Sequence, residues 1–113
     1  MHCLFCNFVN GKSPISLTYE DDRVVAFNDI KPKAPFHILI IPKKHIATLN
    51  NMSENDRPLL GQMLHVAKQL AIQLGISQSG YRAVFNCNAN GGQTIFHIHL
   101  HLLGGRQMLW PPG

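Results

Sequence analysis

The chain has 113 residues, of which 45% are hydrophobic and 14% charged, enough for one core and too few for two domains. Its formal net charge of +4 comes from ten Lys and Arg that are scattered except at Lys43-Lys44, a pattern that suits a small anionic ligand and argues against nucleic acid as a partner. No apolar run reaches the roughly eighteen residues of a membrane span, Met1 to Cys6 lacks a leader pattern, and three cysteines make no secreted disulfide framework, so a cytoplasmic protein with reduced thiols and no membrane partner is expected.

Leu4 to Val9 reads as a short helix, with Leu4, Phe5 and Phe8 on one face and Asn10-Gly11 as its stop. Within it, Cys3-x-x-Cys6 offers half of a four-ligand metal site, or else a reduced, unligated pair. Leu17 to Glu20 and Val24 to Asn28 read as strands paired antiparallel through the turn Asp21-Asp22-Arg23. Asp29, just after the second strand, is on its own a turn-capping carboxylate. Lys31 to Pro35 is a connector. His37 to Ile41 then reads as a buried strand closed by Pro42, and a histidine in such a place is ordinarily a hydrogen-bonded core residue.

A polar segment from Thr48 to Arg57 leads into one long helix, with Ser53, Asn55 or Asp56 as N-cap and Pro58 in its opening turn. Leu59, Met63, Val66, Ala67, Leu70, Ala71 and Leu74 recur at helical spacing up to Gly75, predicting an amphipathic helix of roughly 25–30 Å whose apolar face covers the sheet. His65 falls off that stripe. Tyr81 to Asn86 supplies a further strand, with Asn86 as a strand-end turn residue. Asn90-Gly91-Gly92-Gln93-Thr94 follows as a turn whose backbone N–H groups suit an anion.

His97-Ile98-His99-Leu100-His101-Leu102-Leu103 alternates imidazole and aliphatic side chains with the period of a β-strand. Extended, it projects His97, His99 and His101 from one face, about 6.5–7 Å apart, and Ile98, Leu100 and Leu102 from the other into a core. Neutral imidazole is a nucleophile at pH 7 without prior deprotonation, so a histidine row beside an anion-binding turn points to transfer at phosphorus. A catalytic metal on a His-x-His pair is the rival, but no Asp or Glu lies within ten residues of the row. Five strands and one covering helix make an α+β fold with an antiparallel sheet whose edge is left unpaired. The segment after Gly104-Gly105 has no period, and an indole at Trp110 suggests docking.

Four separated stretches resemble a known family: His97 to Leu103, in the form His-φ-His-φ-His-φ-φ; Ala34-Pro35-Phe36-His37-Ile38-Leu39-Ile40-Ile41-Pro42-Lys43-Lys44-His45; Gly91-Gly92-Gln93-Thr94; and Arg106-Gln107-Met108-Leu109-Trp110-Pro111-Pro112-Gly113. Together they are similar to the histidine triad (HIT) superfamily of nucleotide hydrolases and transferases, and to its histidine triad nucleotide-binding (HINT) branch. The likeness runs from Phe5 to the last residue. It implies one HIT domain over residues 1–113, a homodimer that extends the five strands to a ten-stranded sheet, and a tail from about residue 104 at the dimer interface.

The activity implied is hydrolysis of purine nucleoside phosphoramidates, breaking the P–N bond to AMP or GMP through a nucleotidyl-histidine on His99. Dinucleoside polyphosphate hydrolysis and a non-catalytic nucleotide-binding or scaffold role are the alternatives. By resemblance, Leu4, Phe5, Phe8, Phe27 and Ile30 take the base and Asp29 the ribose. His101, Thr94 and the backbone at Gly92-Gln93 take the phosphate, while Asn86 bonds a neighbouring group or the ligand. His37 is a fourth catalytic histidine, and His97 orients its neighbours or ligates zinc. No cofactor is implied for catalysis. A structural zinc would fall on Cys3, Cys6, His45 and His97, the alternative being unligated thiols. Thr94 stands where close relatives carry serine and keeps the hydroxyl; Phe96 stands for a common Tyr and drops its phenol.

Overall fold

The computed structural model describes residues 3–113; Met1 and His2 lie outside the described residues. Helix α1 (Leu4–Val9) begins at Cys3, whose sulfur accepts the Cys6 N–H at 3.3 Å, and ends at Asn10 and Gly11, the latter at φ 74°. Strands β1 (Leu17–Glu20) and β2 (Val24–Asn28) form the expected antiparallel hairpin. Asp21 makes its turn: one carboxylate oxygen accepts the N–H groups of Arg23 and Val24, both at 2.8 Å, and the other accepts Tyr19 Oη–H at 2.7 Å and Gln62 Nε2–H at 2.9 Å. Burial alone would raise this carboxyl, but those donors hold it down at about 2.

Strand β3 (Phe36–Pro42) is central, and the sheet runs β1-β2-β3-β5-β4, all antiparallel, with β4 at Tyr81–Phe85 and β5 at Leu100–Gly104. β3 is a continuous apolar run because both of its faces are covered. On one face Val24, Ala26, Ile38, Ile40, Leu100 and Leu102 pack under the long helix α2 (Arg57–Gln73) through Leu59, Met63, Val66 and Leu70. On the other, Val25, Phe27, Leu39 and Ile41 pack against Cys3 and Phe5 of the N-terminal helix. Asp56 occupies the N-cap position of α2, with Pro58 in the first turn; its carboxylate accepts from Ser53 N–H at 2.8 Å and from Lys44 Nζ at 2.6 Å. Gly75, at φ 76°, ends the helix as expected.

Three expectations are corrected. The triad strand begins at Leu100, not His97: extending the β3–β5 register would set Ile98 against Pro42, which has no N–H, and Ile98 N–H instead donates to Ile46 O at 2.8 Å. The two-faced alternation nevertheless persists through the unpaired part, with Ile98 buried under α2 and His97 and His99 on the α1 side. β4 stops at Phe85, so Asn86 lies just past it. The glycine turn is a short helix, α3 (Asn88–Gly91), closed by Gly92 at φ 80°.

Candidate active site

β2 ends, β3 begins and β5 begins around one cavity of about 570 Å³ on the α1 side of the sheet. Its apolar end is walled by Leu4, Phe5, Phe8 and Phe27, and its polar end by Asp29, His37, Thr94, His99 and His101, with Ile30 exposed at the mouth. Phe8 meets Phe27 edge to face at 5.2 Å, and Phe5 meets the His99 ring in the same way at 5.2 Å, so the aromatic wall runs directly into the histidines.

The hydrogen bonds dictate where each imidazole proton sits. His99 Nδ1 lies 2.9 Å from the His97 carbonyl, which can only accept, so Nδ1 carries the proton and Nε2 keeps its lone pair. His37 Nδ1 accepts the Lys33 N–H at 3.0 Å, so its proton is on Nε2, where it meets His101 Nδ1 at 2.9 Å and Asp29 Oδ2 at 3.4 Å. His101, accepting at Nδ1, in turn carries its proton on Nε2. Of these imidazoles, His99 thus keeps a free lone pair on Nε2 and His101 a free N–H on Nε2, on rings 4.9 Å apart. Burial, then the neighbouring His99 and His37, pushes His101 down to about 4; burial likewise lowers His37, opposed by Asp29. Both are neutral at pH 7.

The first histidine of the row turns away from this cavity. His97 Nε2–H donates to Pro42 O at 2.8 Å, which leaves its Nδ1 lone pair facing Cys3 Sγ at 3.4 Å, Cys6 Sγ at 3.5 Å and His45 Nδ1 at 3.2 Å; Cys6 Sγ is 3.3 Å from His45 Nδ1. Tetrahedral bonds of about 2.3 Å to sulfur and about 2.05 Å to nitrogen require S···N separations of roughly 3.5 Å and an N···N separation of roughly 3.3 Å, which these four separations match, and all four ligand atoms lie within 4.8 Å of one another. Burial pushes His97 down to about 4, keeping it a neutral ligand, and burial raises the Cys6 thiol.

Asp29, His37 and His101 form a second group close enough for an ion. Proton placement argues against one there. A metal on His37 Nε2 would need a proton on Nδ1, where the Lys33 N–H already points. These three side chains stand in one line of polar contacts, and Asp29 reaches the two histidines across the sheet although no acid is near the triad in sequence.

Of the residues expected to hold nucleotide, Leu4, Phe5, Phe8, Phe27, Asp29, Ile30, Thr94, His99 and His101 line the cavity, whereas Asn86, Gly92 and Gln93 do not. Gln93 is a buried staple: its side chain accepts Asn88 N–H at 2.9 Å and donates to Ala47 O at 2.8 Å and Ile95 O at 3.0 Å. His97, expected to orient its neighbours or ligate zinc, does not line the cavity: its carbonyl holds the His99 ring at 2.9 Å and its own ring faces the thiols. Leu39, Ile15, Lys31 and Lys33 line the cavity without having been singled out; Leu39 was readable as the same-face neighbour of His37, two residues on.

A family described as "Scavenger mRNA decapping enzyme C-term binding" matches residues 2–110. The purine nucleoside phosphoramidase of Escherichia coli K12 is 47% identical over 105 residues, 93% of this chain and 88% of that protein. The chain belongs to the histidine triad family. A HIT family hydrolase from Legionella pneumophila Philadelphia 1 superposes with a TM-score of 0.97 at 56% identity, covering 99% of this histidine triad chain and all of that one. A Zn-bound histidine triad family protein from Mycobacterium smegmatis superposes with a TM-score of 0.79 at 30% identity, over 92% of this chain and 75% of that one. Five antiparallel strands under one long helix are thus the HIT fold, and no helix among the described residues is long and apolar enough to cross a membrane.

Proposed function

We propose that this HIT-family hydrolase cleaves the P–N bond of purine nucleoside phosphoramidates. The observation that carries the reading is the His97 carbonyl on His99 Nδ1, which leaves the His99 Nε2 lone pair as the nucleophile of the cavity. The base lies among Leu4, Phe5, Phe8 and Phe27, and Asp29 takes the ribose hydroxyls. Its carboxylate has acceptor capacity to spare beyond Lys31 N–H at 2.9 Å. His99 Nε2 attacks the α-phosphorus, the P–N bond breaks, and a nucleotidyl-histidine remains for water to hydrolyse. An amine leaves readily only when protonated. Neutral His101 and His37 have no proton to spare, so that proton is drawn from solvent, while His101 Nε2–H, held by His37 at 2.9 Å, and the Thr94 hydroxyl stabilise the phosphoryl oxygens.

Cys3, Cys6, His45 and His97 are proposed to hold a structural zinc, as the donor set and spacing support. When bound, it would tie α1 to the segments after β3 and before β5 and take no part in the reaction. A homodimer is proposed on the family resemblance, through edge strand β4. The exposed Leu109 and Trp110 lie beside it, the Leu109 carbonyl held by Arg82 Nη2 at 2.8 Å.

The test is turnover of a fluorogenic AMP phosphoramidate by wild type and His99→Ala, with and without chelator, against a diadenosine polyphosphate. The reading expects phosphoramidate turnover that is lost in His99→Ala and indifferent to brief chelation. Preference for the polyphosphate would move the assignment to that substrate class, and turnover retained by His99→Ala would remove His99 as nucleophile.

A further inference from the structure

The connector between β2 and β3 is where the C-terminal tail meets the histidines. Arg106, just past β5, donates from Nε and Nη2 to the Lys33 carbonyl at 3.0 and 2.9 Å, and from Nη1 to Gln107 O at 3.2 Å. A planar guanidinium forked onto one oxygen sets direction as well as distance. Across the same α-carbon, the Lys33 N–H is the donor on His37 Nδ1 at 3.0 Å. The Lys33 ammonium is turned elsewhere, to Lys31 O at 2.8 Å, so the backbone of Lys33 makes the contact to His37. The root of the tail is pressed against the same connector: at Gly105, φ 91°, a Cβ would stand 2.9 Å from Pro35 Cβ and 3.1 Å from the Phe36 ring.

That peptide decides a proton two rings away. While Lys33 N–H occupies His37 Nδ1, the His37 proton must sit on Nε2 and be offered to His101 Nδ1 at 2.9 Å. Without it, His37 is free to protonate at Nδ1 or to turn its N–H toward Asp29 Oδ2, now 3.4 Å away. His101 Nδ1 then loses its donor. The ring would adopt the other tautomer, presenting a lone pair to the phosphoryl oxygens where a hydrogen bond is needed. The charged and titratable groups around the pair are Asp29, Lys33 and His99.

We infer that Arg106 is a positioning residue: by gripping the Lys33 carbonyl it fixes the residue whose N–H, across the α-carbon, lies on His37 Nδ1, and so keeps the His101 proton on Nε2, facing the reacting phosphorus. The catalytic half of this rests on the function proposed above; the tautomer half does not.

The test uses the full chain with ¹⁵N-labelled histidine, in wild type, Arg106→Ala and Arg106→Lys. Long-range ¹H–¹⁵N spectra identify the protonated nitrogen of each ring, and AMP phosphoramidate turnover is measured on the same samples. In wild type both His37 and His101 carry their proton on Nε2. In Arg106→Ala, with melting temperature little changed, both become tautomer mixtures, and kcat falls on the order of tenfold, a fraction of what one positioned donor to a developing oxyanion contributes. KM stays within about twofold, since binding contacts are untouched. Arg106→Lys, with a charge but no fork, lies between. Wild-type tautomers in Arg106→Ala overturn the inference, as do mixed tautomers with unchanged kcat. If wild type does not hydrolyse the phosphoramidate, the function reading fails, while the tautomer comparison still decides whether Arg106 governs the two histidines.

Discussion

His97 and His99 are joined by a 2.9 Å hydrogen bond from the His99 ring to the His97 carbonyl, while the His97 ring faces the opposite way, into a cluster of two thiols and an imidazole. One residue thus belongs to two sites. Its backbone sets the tautomer of His99, and its side chain supplies a fourth corner to a metal-shaped cluster.

The cluster yields the most direct chemical prediction. Protein purified without added metal should carry close to one zinc per chain. Prolonged chelation should expose Cys3 and Cys6 to thiol reagents and lower the melting temperature by about 5 °C or more, the shift that roughly 1 kcal/mol produces in a domain of this size. A stoichiometry near zero with thiols freely reactive from the start would remove the zinc proposal.

The His37–His101 pair makes a prediction about pH. Neutral His37 and His101 are the working forms, and burial holds His101 at about 4 and His37 below its ordinary value. The titrations of these two rings, followed ring by ring in NMR spectra of the free enzyme, should therefore lie below the ordinary imidazole value of about 6.5, that of His101 near 4. Asp29 favours the charged forms of both rings. Asp29→Asn should move both titrations lower still, besides weakening substrate binding. Either ring titrating at 6.5 in wild type would contradict neutral working forms.

The first hairpin offers a test of stability independent of chemistry. Asp21 is held at about 2 against an unfolded value of 3.8, so its carboxylate stabilises the fold fully above 3.8, and that contribution is lost as pH falls toward 2. Asp21→Asn keeps an acceptor for the turn N–H groups but loses the acceptor for Tyr19 or Gln62. The cost should be about 2 kcal/mol at pH 7, from denaturant unfolding, and should vanish near pH 2. An equal cost at both pH values would show that the charge is irrelevant.

Much of this was legible in the chain. Short apolar runs bounded by turn residues located β1 to β4 to within a residue or so, and the Leu59 to Leu70 stripe, ended by Gly75, located α2. What stayed hidden was set by residues far apart in sequence. The triad strand starts late because its register partner is Pro42, a fact of pairing rather than of local pattern. Asp29 joins His37 and His101 only because adjacent strands bring the end of β2 to the start of β3. The backbone at Gly92-Gln93 reads as a phosphate contact in its glycine turn, yet its N–H groups are spent on the Ala89 and Asn88 carbonyls, both at 3.0 Å. Ile15 lies in a loop without periodicity, and nothing local marks it as a wall of the cavity.

The central claim is that the His99 Nε2 lone pair attacks phosphorus, and the most direct measurement is to trap the product of that attack. Wild-type protein mixed with AMP phosphoramidate, quenched within one turnover under alkaline conditions and digested, should yield an acid-labile nucleotidyl adduct on the peptide containing His99, localised to that ring by fragmentation. His99→Ala should yield none. An adduct on His97, His101 or His37, or full turnover with no adduct at any time, would contradict the account.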